Sequence, residues 1–211
     1  MGRRYRGPVV AGLLLAGGQS RRLGTDKALV RREGETLAAR GARVLSVVCA
    51  PVLEVGAGVS GLPAVREEPP GAGPLVALVA GVAALRERGS DHGVLLLAVD
   101  LPFVEPRLLE FLASTEPGEG VVVPLSGGRR QPLCAHFSPA ALRRAGVLVG
   151  EGERALKVLL GVVDVHEIDE VAWQRFAPPR ALDDVDTPED LARSGLTVEG
   201  DSSRWSAKSP R

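Results

Sequence analysis

Between Leu13 and Val30 the chain reads LLLAGGQSRRLGTDKALV: an apolar run stops at a glycine pair and turns into a loop bearing Arg21, Arg22 and Lys27. Gly17 and Gly18 carry no Cβ, so backbone N–H groups there can approach an anion closely. Three cations on the same loop make a polyphosphate the natural guest. A second apolar run, VLLLAVD, ends on Asp100. A carboxylate at the mouth of a buried strand, beside a phosphate loop, is placed to hold Mg²⁺, an ion that takes one or two carboxylates and completes its shell with substrate phosphates. The plainer alternative is a turn or capping role for Asp100 ahead of Leu101 and Pro102.

Two familiar glycine motifs do not account for these residues. A P-loop puts Lys directly after a glycine, and Lys27 follows Asp26. Gly56, Gly58 and Gly61 do satisfy G-x-G-x-x-G, yet LPAVREEPPGAGP follows them. The pattern needs a helix N-terminus to hold a pyrophosphate, so this stretch reads as a loop. Covalent catalysis has no evident nucleophile: Ser20 has no histidine close by in sequence, and His92, His136 and His166 are scattered. His136, within PLCAHF, reads as a structural side chain or an acceptor-pocket contact, not as a general base.

The elements that must position this chemistry alternate along the chain. Residues 9–16 and 93–100 are continuous apolar runs, the pattern of strands buried on both faces. A helix is predicted from Glu35 to about Val48, a strand over 51–55, and a helix within 73–88, where Leu75, Leu78, Val79, Val82 and Leu85 share one stripe. Pro106 opens a short helix. Strands are predicted at 121–125, 132–137 and 162–168. Ser138 caps a helix that has Pro139 in its first turn, and Thr187, Pro188, Asp190 and Gly195 supply cap, first residue, box carboxylate and stop of the last helix. The alternation predicts an α/β fold with a mostly parallel sheet covered by helices, its ligand outside the carboxyl ends of the strands.

Length and charge bound the rest. The 211 residues suit one domain, read as 9–196 between a short basic segment, 1–8, and a polar tail, 197–211, that lacks periodicity and is expected to be disordered. Basic and acidic residues balance at 26 each, which argues against a nucleic-acid-coating surface. The apolar stretches are strand-sized, so no membrane span is predicted. The start MGRRYRGPVVAGLLLAGG is read as an interior strand and not a signal peptide, because its apolar run is short and ends in Gly-Gly-Gln-Ser-Arg-Arg. Cys49 and Cys134, far apart and without metal-ligand spacing, are expected as buried thiols of a reducing cytoplasm.

In combination these stations resemble the molybdenum cofactor guanylyltransferases. LAGGQSRRLGTDK is similar to that family's Leu-Ala-Gly-Gly-x-Ser-x-Arg-x-Gly-x-x-Lys signature, and GPL at 73–75, VDLPFV at 99–104, GERALKVLL at 152–160 and DVDTPEDL at 184–191 follow in the family's order. The resemblance implies a three-layer, Rossmann-like α/β fold with a mixed, mostly parallel sheet of the nucleotide-diphospho-sugar-transferase type. It implies a cytoplasmic enzyme, a monomer or weak oligomer, that transfers GMP from Mg²⁺-GTP to the phosphate of molybdenum-molybdopterin and releases pyrophosphate, with cofactor-synthesis or molybdoenzyme maturation proteins as partners. Leu15, Ala16, Gly17 and Gly18 would line the nucleotide, Arg22 and Lys27 would face its phosphates, and Asp100 would bind nucleotide and metal.

Other positions depart from the family. Glu67, beside Glu68, stands where the family commonly has Asp for a nucleotide contact. Val55 and Gly56 stand where it often has Asn, so no role passes there. Asp184 and Asp186 replace the asparagines of Asn-x-Asn-Thr-Pro and, with Arg154 of the GER station, would meet the acceptor. Of the usual Pro-Cys-Asp before the metal site, only Asp100 persists after Ala98 and Val99. The glycine pair favours guanine, since cytidylyltransferase relatives usually read Ala-Gly. The alternatives are CTP-dependent transfer to the same cofactor, transfer to a sugar phosphate, polyol phosphate or phospholactate-type acceptor, a non-catalytic nucleotide-binding regulator, and an adaptor for molybdoenzyme maturation.

Overall fold

A computed structural model describes residues 10–17 and 26–198. In chain order its strands are β1 (Ala11–Leu15), β2 (Arg31–Arg32), β3 (Glu35–Thr36), β4 (Val52–Val55), β5 (Ala64–Val65), β6 (Val94–Ala98), β7 (Val121–Ser126), β8 (Arg129–Arg130), β9 (Cys134–Phe137) and β10 (Val165–Ile168). Its α-helices are α1 (Leu37–Val48), α2 (Pro74–Glu87), α3 (Pro106–Ser114), α4 (Pro139–Gly150), α5 (Leu156–Leu159), α6 (Glu170–Trp173) and α7 (Pro188–Ser194).

The main sheet runs β10-β7-β9-β6-β1-β4-β5, with β8 on β7. β1 lies inside it, between β6 and β4 and parallel to both. β9 is antiparallel to both β6 and β7, which makes the sheet mixed. Every residue of β1 and of β6 is buried, because alternate side chains feed two separate cores. Leu14, Leu95 and Leu97 meet α1 and α3 on one face. Leu13, Leu15, Leu96 and Ala98 meet α2 and α4 on the other. At roughly 1.5–3 kcal/mol for each fully buried leucine, this double-sided burial anchors the two strands that lead to Gly17 and Asp100.

Close helix packing on β1 needs small residues. A Cβ at Gly81 of α2 would lie 2.6 Å and 2.8 Å from the methyl carbons of Leu13 and 2.8 Å from a Val55 methyl. The helix caps follow the sequence signals: Ser138 accepts from the Ala141 N–H, and Thr187 and Asp190 form a reciprocal capping box closed by Gly195 in the left-handed region.

Some boundaries differ from the sequence reading. Glu35 and Thr36 pair with Arg31 and Arg32 in a small hairpin, so the first helix starts at Leu37 with Thr36 as its cap. β6 ends at Ala98 and Asp100 lies in the following turn. β9 begins at Cys134, after a turn in which the Cys134 N–H donates to the Gln131 carbonyl. Thr197, the first residue of the predicted tail, exchanges two backbone hydrogen bonds with Arg31. Among the described residues no helix is long and apolar enough to cross a membrane. Cys49 and Cys134 are both buried free thiols, each pushed up to about 12 by burial.

Candidate active site at the ends of the central strands

The carboxyl ends of β1, β4 and β6 open into a cleft of about 470 Å³. The Leu15–Gly17 backbone forms its floor, held by hydrogen bonds from the Ala16 N–H to the Val55 carbonyl and from the Val99 N–H to the Leu15 carbonyl. Lys27, Glu67 and Asp100 enter the same cleft.

Lys27 begins a single 3-10 turn, capped by the Asp26 carboxylate, which accepts from the Ala28 N–H. Its ammonium lies 3.7 Å from Asp100 Oδ2 and donates to Asp186 Oδ1. Asp100 is 21 % exposed at the side chain, and its Oδ1 is buried without a hydrogen-bond partner. Burial pushes the Asp100 carboxyl above its ordinary value; the Lys27 charge opposes the shift, and Asp186 and Asp184 add to it.

The acidic segment 184–186 is tied directly to this strand end, since the Val185 N–H donates to the Asp100 carbonyl at 3.0 Å. Asp190 in turn holds the segment through the Asp186 and Thr187 N–H groups. The loop after Asp100 is clamped from behind. Arg32 and Arg40 both donate to the Pro102 carbonyl, and the Arg180 guanidinium stacks 3.5 Å over the Phe103 ring.

Glu67 is 7 % exposed and accepts from the Gly71 N–H at 3.0 Å. It faces Gly17, where an added Cβ would lie 3.7 Å from Glu67 Oε1. Opposite, the GPL station forms the amino end of α2. Gly73 has φ +113°, and a Cβ on it would lie 2.8 Å from the Arg154 carbonyl, which accepts from the Leu75 N–H. This contact brings the GER and GPL stations together and leaves Arg154 exposed.

The structure thus joins Leu15, Ala16, Gly17, Lys27, Glu67 and Asp100 in one cleft and sets Asp186 on Lys27. Arg22 and Gly18 lie outside the described residues. His136 sits in β9, outside the cleft, where Nδ1 meets the Leu112 carbonyl at 3.2 Å and burial lowers its basicity. The G-x-G-x-x-G stretch is a loop whose anion is internal: the buried Glu54 carboxylate accepts from the N–H groups of Gly58, Val59 and Ser60. Asp26, Val55, Ala77 and Leu133 also line the cleft, and their types and spacing carry no chemical signal that would have singled them out.

Asp100 offers what a hard divalent cation needs, a carboxylate oxygen that is buried and unsatisfied beside other carboxylates. Among the described residues no group of three or more His, Cys, Asp or Glu could hold a metal ion. An ion here would draw on few protein ligands and on ligand phosphates.

Solved structures share this architecture. Molybdopterin-guanine dinucleotide biosynthesis protein A from Archaeoglobus fulgidus superposes with a TM-score of 0.72 at 21% identity, covering 88% of this chain and 96% of that one. A Mycobacterium tuberculosis H37Rv protein solved in complex with manganese gives 0.59 at 19% identity, over 88% and 97%. The chain therefore shares the fold of these proteins. The MobA-like NTP transferase domain matches residues 12–167, and the chain belongs to that family. A probable molybdenum cofactor guanylyltransferase of Chloroflexus aggregans is 34% identical over 197 residues, 87% of this chain and 92% of the relative. One from Mycobacterium bovis is 36% identical over 168 residues, 75% and 83%. The chain is a nucleotidyltransferase.

Proposed function

We propose that the chain transfers the guanylyl group of GTP to the terminal phosphate of molybdenum-molybdopterin. An acceptor phosphate oxygen bonds to the α-phosphorus, the bond from that phosphorus to the bridging β-oxygen breaks, and pyrophosphate leaves. The observation that carries this reading is the meeting of Lys27 and Asp100, 3.7 Å apart, beside the Leu15–Gly17 backbone at adjoining strand ends. Relatives named as probable molybdenum cofactor guanylyltransferases support this choice of reaction.

Reactions of this type ask the protein for positioning and charge neutralisation more than for covalent chemistry. Leu15, Ala16, Gly17 and Gly18 form the bed of the nucleotide. Lys27 and Arg22 take the phosphates, orienting the α-phosphorus and stabilising the leaving pyrophosphate. Glu67 supplies a carboxylate that accepts from both the N1–H and N2–H donors of guanine, whereas the cytosine edge offers it a single N4 amino group. Arg154, Asp184 and Asp186 border the acceptor side. Asp100 would hold Mg²⁺, through the unsatisfied Oδ1 and the charge of the neighbouring carboxylates. A bound divalent ion supplies charge neutralisation on the phosphates; the manganese-bound neighbour supports an ion of this charge. The location proposed for this enzyme is the cytoplasm.

Lys27→Ala and Asp100→Ala, made separately, are each expected to abolish pyrophosphate release from Mg²⁺-GTP with the metallated cofactor. Unchanged release by either folded variant would overturn the assigned role. GTP is expected to raise the melting temperature above CTP, ATP or UTP; a preference for CTP would replace guanylyl by cytidylyl transfer.

A further inference from the structure

The charged side chains that line the cleft among the described residues are Asp26, Lys27, Glu67 and Asp100, three anions and one cation. The cation already has an anionic partner on the rim, because Lys27 donates to Asp186 Oδ1. Asp186 cannot drift away easily: the Val185 N–H holds the Asp100 carbonyl, and the Asp186 N–H is held by Asp190 Oδ2 at 3.2 Å. The anchored groups of residues 185 and 186 are backbone N–H groups, so an amide side chain at position 186 would keep both bonds. Position 186 thus sets a carboxylate against the lysine that a triphosphate needs.

We propose that Asp186 is a resident counter-anion for Lys27 that makes nucleotide binding depend on a divalent cation. It presupposes the nucleotidyl-transfer site described above. In the absence of metal, an incoming triphosphate must displace Asp186 from Lys27 and then face the freed carboxylate beside Asp100. A divalent cation on the phosphates offsets that charge, so nucleotide and metal favour each other's binding, equally in both directions. Asp186 thereby sets specificity for the metal-bound nucleotide over the free one. Arg21 and Arg22 add cations to the same loop in sequence, and their contribution cancels when only position 186 is changed.

The test is calorimetric and needs no turnover. GTP is titrated into the full chain in EDTA and again at saturating Mg²⁺, without acceptor, for wild type, Asp186→Asn and the exposed neighbour Asp183→Asn as control. Asp186→Asn is expected to tighten GTP binding in EDTA by roughly five-fold or more, the lower end of ordinary coupling factors. Affinity in Mg²⁺ should change little, and the EDTA effect should shrink as salt rises, as a charge effect must. Asp183→Asn should match wild type. In a Lys27→Met background the Asp186→Asn gain should shrink, since no ion pair remains to be released and only the repulsion between the carboxylate and the phosphates is left.

Equal EDTA affinities for wild type and Asp186→Asn, or a gain undiminished in Lys27→Met, would overturn the role of Asp186. Running CTP in parallel separates the two levels. If CTP binds and GTP does not, guanine selection fails while the Asp186 comparison is read on CTP. If neither binds wild type with Mg²⁺, the nucleotidyl-transfer site fails and the counter-anion with it.

Discussion

Asp100 and Glu67 are both carboxylates in one cleft, and their surroundings give them different work. Asp100 keeps one buried oxygen without a partner, a cost a protein sustains where a ligand completes the set. Asp100→Asn keeps the volume and removes the charge, so it should lower kcat/KM for Mg²⁺-GTP by about 10²–10³ while leaving the melting temperature unchanged or raised. Steady-state kinetics beside a thermal melt checks both halves. Glu67 is already hydrogen-bonded through the Gly71 N–H and is positioned by it toward Gly17. Glu67→Gln should weaken GTP binding by roughly 10- to 150-fold, the range for losing hydrogen bonds to a charged, buried group. Titrations with inosine triphosphate, which lacks the 2-amino donor, should show a smaller loss. Equal losses for both nucleotides would remove Glu67 from base recognition.

Between residue and molecule stand the elements that hold the cleft walls. β4 delivers Glu54 into the turn that follows it, and the loop from Gly56 to Gly61 folds around that carboxylate. Gly56 packs there so closely that a Cβ would lie 2.9 Å from the Ala16 carbonyl carbon, which links the loop to the cleft floor. Burial tends to raise the Glu54 carboxyl, and the donors from Ser60, Gly58 and Val59 outweigh it and hold the group below its ordinary value. The unfolded chain therefore binds more protons than the folded one between that lowered value and about pH 4.3. The stabilisation is fully present above about pH 4.3 and is lost as pH falls through the folded value. Glu54→Gln should destabilise the protein by about 1.5–3 kcal/mol at neutral pH, with a gap from wild type that closes in acid. Denaturant melts at pH 7 and pH 3.5 check this, and an unchanged gap would mean the carboxylate charge is not what organises the loop.

At the scale of the whole molecule, a ligand bound only by the folded state stabilises it by mass action. GTP with Mg²⁺ at 100 times Kd adds about 2.7 kcal/mol, and for a chain of this size each kcal/mol moves Tm by roughly 2–4 °C. A rise on the order of 5–10 °C is expected by scanning calorimetry, and no rise at that saturation would contradict a site built into the native fold. Much of that fold was legible along the chain. β1 and β6 announced themselves as apolar runs because both faces of a central parallel strand are buried, and α4 and α7 did so through Ser138 and Thr187, because capping is local chemistry. Lys27 and Asp100 stood out because glycines, cations and a carboxylate at strand ends have few other uses. The antiparallel course of β9 was not legible, since a short apolar run reads the same in either direction. The hairpin over 31–36 and the short strand at 64–65 were too brief to show a period. Glu54 read as any strand carboxylate until the loop closed on it. The pairing of Lys27 with Asp186 joins side chains 159 positions apart, and spacing along a chain says nothing about such a meeting. The sequence by itself determined which strands are central and which residue types reach their ends. Only the tertiary structure decided which charges face one another there, because Coulomb interactions depend on distance in space and on burial, and both are properties of the packed chain.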